Sequence, residues 1–161
     1  MSHTPENAVR YITVGVDGSP SSDAAMSWAV REAGLTGDVI KAVIAWQYPV
    51  LIGAYGWAPV ITDNGLDLRA AAEKILAEAV SRAARPESAT RIEQRVVEGY
   101  PPQVLVDASA GSDLLVVGSR GHGTFTDALL GSVSQHCVHH ARCPVVIVRE
   151  HQDASHQRSK P

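Results

Sequence analysis

The chain has 161 residues, 45% hydrophobic and 19% charged, with a formal net charge of −3. That length suits one domain, the apolar fraction is enough for a core, and the charge is too low for a disordered chain. Lysine occurs only at Lys41, Lys74 and Lys160, so no basic stripe is present of the kind that neutralises nucleic-acid phosphates, and no apolar stretch approaches bilayer length.

Residues 1–9 are polar, lack the apolar run of a secretion signal and are expected to be loose. Tyr11 to Val16 is a short β-rich run, and Asp17-Gly18-Ser19-Pro20 follows it as a turn. Ser19 is placed to cap a helix with Pro20 at its first position. Ala25, Trp28, Ala29 and Ala33 recur at helical spacing, and Gly34 is expected to stop that helix. Val39 to Trp46 is nearly all apolar, which suits a strand buried on both faces of a parallel sheet. Tyr48 to Asn64, broken by Pro49, Gly53, Gly56 and Pro59, reads as a long loop carrying Tyr48, Tyr55 and Trp57. Leu68, Ala72, Ile75, Leu76, Ala79 and Ala83 mark an amphipathic helix that ends by Pro86. Ile92 to Val97 reads as a third strand, Pro101-Pro102 opens a helix through Ala110, and Leu114 to Val117 is a fourth strand. A glycine-rich connection from Gly118 to Gly131 leads into a helix from about Ser132 to Ala141 and a last strand, Val145 to Val148. Residues 150–161 read as a loose polar tail.

Strands and helices therefore alternate within one α/β domain, residues 10–149, which predicts a five-stranded parallel sheet with helices on both faces. In a sheet of order 3-2-1-4-5 the first and fourth strands flank the point where the order reverses, and ligands bind outside the carboxyl ends of strands there. The loops that begin at Asp17 and Gly118 would then face each other.

The second of these loops reads Gly118-Ser119-Arg120-Gly121-His122-Gly123, and nine residues separate Gly121 from Gly131. Glycines let a ligand approach the backbone, and the N–H groups of Ser132, Val133 and Ser134 at a helix start attract anions. The hydroxyls of Ser132 and Ser134 add further donors, so the parts describe a phosphate cradle made mostly of backbone. It is not a P-loop, which needs a lysine, nor the dinucleotide fingerprint, whose glycine triplet is absent after the first strand. Asp17 is placed either to accept from sugar hydroxyls or to cap the first helix. Arg120 is placed either to clamp a phosphate or to sit solvated on the surface, and His122 is a weaker candidate of the same kind.

Cys137 and Cys143 read as free thiols in a reducing cytoplasm. With His136, His139 and His140 they invite a metal reading, since His136, His140 and Cys143 would share one helix face, but a histidine pair alone is a weak signal.

The run Gly-x2-Gly-x9-Gly-Ser from Gly118 to Ser132 resembles the ATP-binding signature of the universal stress protein family. Val14 to Ser19, Leu114 to Gly121, Leu129 to Ser134 and Cys143 to Val148 resemble other segments of that family, so the likeness spans about residues 10–149. It implies a Rossmann-like fold of the adenine nucleotide alpha hydrolase type. It further implies that Gly15 and Val16 flank adenine and ribose, that Asp17 meets ribose hydroxyls or a bound Mg²⁺, and that Ala45 pairs with the adenine edge. By the same likeness Val117, Gly118 and Gly121 line the ribose and phosphate path, while Gly131, Ser132, Val133 and Ser134 hold the outer phosphates of ATP. Members that have lost these glycines typically do not bind ATP; this chain keeps them. The family also commonly forms homodimers through the last strand, here Val145 to Val148.

The expected function is that of a cytoplasmic, nucleotide-binding stress or signalling protein. Without a phosphate-clamping lysine, hydrolysis would be slow at most. A cyclic AMP module and a nucleotidyl-transfer enzyme on the same fold are the alternatives. Gly118→Ala is expected at this level to abolish binding while the fold survives.

Overall fold

The computed structural model describes residues 8–48, 50–53, 56–59, 67–86, 89–122 and 130–150. Most of the two expected loose ends lies outside these residues.

Strand β1 (Tyr11–Gly15) is the centre of a parallel sheet. It pairs with β2 (Val39–Trp46) on one side and β6 (Leu114–Gly118) on the other, so that Ile12 stands beside both Ile40 and Leu114. Outside β2 lies β5 (Ile92–Glu98), and outside β6 lies β7 (Val145–Val148). The order β5-β2-β1-β6-β7 is the expected 3-2-1-4-5 arrangement of five parallel strands.

Alternation along each strand divides the core in two. Ile12, Val14, Ile40, Ala42, Ile44 and Val116 pack with Ala25, Met26 and Ala29 of α1 (Pro20–Thr36) and with Ala72, Leu76 and Ala79 of α2 (Leu68–Ala83). Val43, Leu115 and Val117 point the other way, into a cluster with Val104 and Leu105 of α3 (Pro101–Ala108) and Cys137 of α4 (Ser132–His140). Thr13 shares that second side and meets the Ser112 hydroxyl at 2.8 Å, which satisfies a buried polar group beneath α3. Both cysteines are free, and burial pushes the Cys137 thiol up to about 11, so it stays protonated at neutral pH.

Two local expectations change. Inside the segment read as a loop, β3 (Val50–Gly53) and β4 (Gly56–Pro59) form an antiparallel hairpin with Val50 opposite Pro59 and Gly53 opposite Gly56. Seven strands thus occur among the described residues, five in the main sheet and two apart from it. Glycines and prolines mark breaks in the segment, yet Gly53 and Gly56 form one pair of the ladder, and Pro59 sits at a strand end where a missing N–H is tolerated.

The second change is at the end of α1. Gly34 does not stop the helix, which runs to Thr36 and closes at Gly37, whose φ of 78° lets its N–H reach Ala33 O at 2.8 Å. A left-handed residue is needed where the chain turns into β2, and Gly37 is the glycine at that place. The two glycines should answer alanine oppositely. Gly34→Ala, in an exposed helical turn, should raise stability by about 0.5–1 kcal/mol. Gly37→Ala should lower it by about 1–2 kcal/mol. Urea unfolding of the two variants reads both signs.

Candidate functional site

The carboxyl ends of β1 and β6 are neighbours in the sheet, and the loop after each is fastened by α1. Ser19 is the N-cap of α1, its Oγ accepting from Ser22 N–H at 3.2 Å. Asp17 therefore does not cap the helix. Its Oδ1 instead accepts from Ser19 N–H at 2.8 Å, closing a turn just before the helix. Asp17 N–H in turn donates to Ser22 Oγ at 3.4 Å. Among the described residues, Asp17 Oδ2 has no hydrogen-bond donor, and it lies where a Cβ on Gly121 would come within 2.8 Å.

The β6 loop is held through its backbone. Arg120 N–H donates to Ser21 Oγ at 3.2 Å, and Arg120 O accepts from Ser19 Oγ at 3.4 Å. Ser119 N–H donates to Val148 O, and Gly131 N–H to Ser119 O, both at 2.8 Å. The last of these bonds brings the start of α4 against the loop. Gly131 is the N-cap of α4 and has no side chain to accept from the first N–H groups, which also have no acceptor within the helix. Ser132, Val133 and Ser134 thus present uncapped N–H groups, and the helix dipole adds positive potential there.

These pieces surround a cavity of about 520 Å³, within the roughly 300–1,000 Å³ of small-molecule sites. Every site residue expected from the sequence lines it. Gly15, Val16 and Asp17 come from the end of β1 and Ala45 from β2. Val117, Gly118, Arg120 and Gly121 come from β6 and its loop, and Gly131, Ser132, Val133 and Ser134 from the start of α4. Its apolar lining includes Leu105 and Pro101 of α3 with Val16, Ala45 and Val117. Its polar lining includes Asp17, Arg120, His122 and Ser132.

Three details revise the expected roles. Ser134 is buried and its hydroxyl donates to Gly118 O at 2.6 Å, so the hydroxyl is engaged within the frame and the uncapped group at this position is the backbone N–H. Arg120 is exposed and forms no ion pair among the described residues, which leaves its guanidinium available at the rim. Pro101, Leu105, Ser22 and Gln135 also line the cavity and were not read as site residues. The Pro101-Pro102 pair marked a helix start, but nothing local signalled that this end of α3 would meet the cavity. On the far part of α4 the His136 and His140 rings lie 4.2 Å apart, and among the described residues no set of three His, Cys, Asp or Glu is arranged to hold a metal ion.

Fold and site together define a parallel α/β protein with a backbone-rich cleft, glycine on one wall and a helix start on another, at the point where strand order reverses. The model of the universal stress protein family matches residues 9–149, and the chain belongs to that family. It is 37% identical over 142 residues to a universal stress protein of Mycobacterium tuberculosis, covering 86% of this chain and 45% of that protein. It is 36% identical over 167 residues to one of Mycolicibacterium smegmatis, covering 97% of this chain and 54% of the other. The chain thus spans about half the length of the curated relatives it matches. Among solved structures, a universal stress protein in complex with cAMP aligns with a TM-score of 0.66 at 31% identity, over 90% of this chain and 100% of that one. A universal stress protein from Archaeoglobus fulgidus aligns with a TM-score of 0.64 at 21% identity, over 88% and 99% of the two chains, which supports the fold.

The geometry also corrects the expected behaviour of Gly118→Ala. A Cβ on Gly118 would stand 2.7 Å from the carbonyl carbon of Ser21 and 2.8 Å from its oxygen, both backbone atoms of α1. The variant should therefore lose about 1–3 kcal/mol of stability through overpacking, before any ligand is considered. Gly131→Ala brings its Cβ no nearer than 3.5 Å to the facing loop and should cost only about 0.5–1 kcal/mol, the scale of a changed helix cap. Denaturant unfolding of the two variants without ligand distinguishes them.

Proposed function

We propose that this chain binds an adenine nucleotide, ATP with Mg²⁺, in the cleft between the β1 and β6 loops. The observation that carries the reading is the uncapped start of α4 standing across from the glycine loop, beside an apolar slot. Such a helix start suits phosphate oxygens, and the apolar slot of Val16, Ala45, Leu105 and Val117 suits a base. Asp17 fits the remaining group: Oδ2 has no donor among the described residues and can accept from ribose hydroxyls or ligate Mg²⁺. When bound, the metal would neutralise phosphate charge. No lysine lines the cavity, so the reading includes at most slow hydrolysis and an output through conformation and partners, in stress response or signalling.

Cyclic AMP is the second reading, favoured by the relative solved in complex with cAMP at 31% identity. A single cyclic phosphate needs the same helix start but not the whole length of the cradle.

The proposal extends to a cytoplasmic homodimer joined along β7. Val145, Val146, Ile147 and Val148 are uncharged, half-buried and on the open edge of the sheet. The opposite edge, β5, is guarded by Arg95 and Glu93, with Arg91 pairing to Glu93 at 3.0 Å, the kind of charge that discourages strand addition. No helix of the described residues is long and apolar enough to cross a membrane.

Thermal unfolding with Mg²⁺–ATP and with cyclic AMP tests the ligand. At about 100 times the dissociation constant, the preferred nucleotide should add roughly 2.7 kcal/mol. For a domain of this size that is a rise of about 5–11 °C. Asp17→Ala should weaken binding by about 1–3 kcal/mol, the scale of a hydrogen bond to a charged group. A protein free of co-purified nucleotide that responds to neither compound would overturn the reading. Sedimentation equilibrium tests the assembly: a dimer is expected, and a monomer at micromolar concentration would remove the β7 proposal.

A further inference from the structure

Asp17 is held from three directions. Ser19 N–H reaches its Oδ1 at 2.8 Å, and its own N–H reaches Ser22 Oγ at 3.4 Å. Both partners are local, two and five residues along the chain. The third contact comes from the opposite loop: His122 Nε2 lies 2.6 Å from Asp17 O, across 105 residues of sequence. A carbonyl oxygen only accepts, so the imidazole proton sits on Nε2 and donates.

That bond differs from the other ties between α1 and the β6 loop. Ser19 Oγ to Arg120 O and Arg120 N–H to Ser21 Oγ are 3.4 Å and 3.2 Å, and neither touches Asp17. The His122 bond is shorter and ends on the peptide that carries the carboxylate. The same loop lies beside the carboxylate: a Cβ added at Gly121 would stand 2.8 Å from Asp17 Oδ2, and only glycine leaves that space open. The carboxylate thus has Ser19 N–H on Oδ1 and Gly121 facing Oδ2, and the His122 bond joins the loop that carries Gly121 to the Asp17 carbonyl.

We infer that His122 is a positioning residue for Asp17, latching the β6 loop to the β1 loop so that the Asp17 carboxylate is set before a ligand arrives. The inference deepens the nucleotide reading and rests on it for its ligand. A carboxylate already confined loses less freedom on binding, and affinity rises accordingly.

A double-mutant cycle tests it, with Mg²⁺–ATP binding followed by calorimetry in wild type, Asp17→Ala, His122→Ala and the double variant. His122→Ala should weaken binding about tenfold in the wild-type background and leave Asp17→Ala unchanged, since a latch acting through Asp17 has nothing left to position. His122→Gln, whose amide can still donate to the carbonyl, should restore most of the affinity. A second readout needs no nucleotide: amide hydrogen exchange of Ser19, which donates to Asp17 Oδ1, should quicken at least tenfold in His122→Ala and stay near wild type in His122→Gln. Independent losses in the cycle would overturn the inference by showing that His122 acts apart from Asp17. Unchanged exchange at Ser19 in His122→Ala would overturn it equally. If wild type binds no nucleotide, the nucleotide reading falls, and the exchange experiment still decides whether His122 positions Asp17.

Discussion

The rest of this structure depends on how closely the end of β6 approaches the first turn of α1. At Gly118 there is no room for even a methyl group, because the Ser21 backbone occupies that space. The contact sets the height of α1 over the sheet, and with it the positions of Ser19, Ser21 and Ser22. Those three hydroxyls then do the fastening: Ser19 and Ser21 hold Arg120 from both sides of its peptide, and Ser22 holds Asp17. Ser21 also lies 3.5 Å from Val148 O, so the glycine loop and the end of β7 are tied to the same helix turn. Small hydroxyls suit this role because they satisfy buried backbone groups without separating the elements they join.

A cleft built this way is framed mostly by backbone groups, with few side chains pointing into it on their own account. The Ser134 hydroxyl is spent inward on Gly118 O, and the Ser119 and Gly131 N–H groups are spent on the frame. What remains for a ligand is the set of N–H groups that α4 cannot satisfy internally, one free carboxylate oxygen on Asp17, and the Arg120 guanidinium at the rim. Under the proposed nucleotide reading, rigid dipoles would cost little reorganisation when an anion arrives, with no lysine needed.

The two edges of the sheet are treated differently, and the difference bears on assembly. At β5, Glu93 and Arg95, with Arg91 just before the strand, set paired charge along the edge strand. On β7 four consecutive aliphatic residues are half-buried in a strand that, among the described residues, pairs on one side only. The curated relatives are about twice as long as the portion this chain matches, so the same domain unit occurs there with additional chain attached.

Much of this architecture was legible from the residues alone. Alternating apolar runs and helical periods placed the five main strands, and the spacing of Gly118, Gly121 and Gly131 located a cradle whose expected members all line one cavity. Such features are local: strand burial, glycine spacing and helix starts are written in neighbouring residues. Local signals were ambiguous where two residues could serve one purpose, as with Gly34 and Gly37, or where turn residues hid a short pairing, as between Val50 and Pro59. Only the tertiary structure decided that Gly118 is required by Ser21, that Leu105 and Pro101 wall the cavity, and that His122 meets Asp17. The His122 contact spans 105 residues of sequence, and the docking of α1 and α3 on opposite faces of the sheet, not any pattern along the chain, brings these segments together.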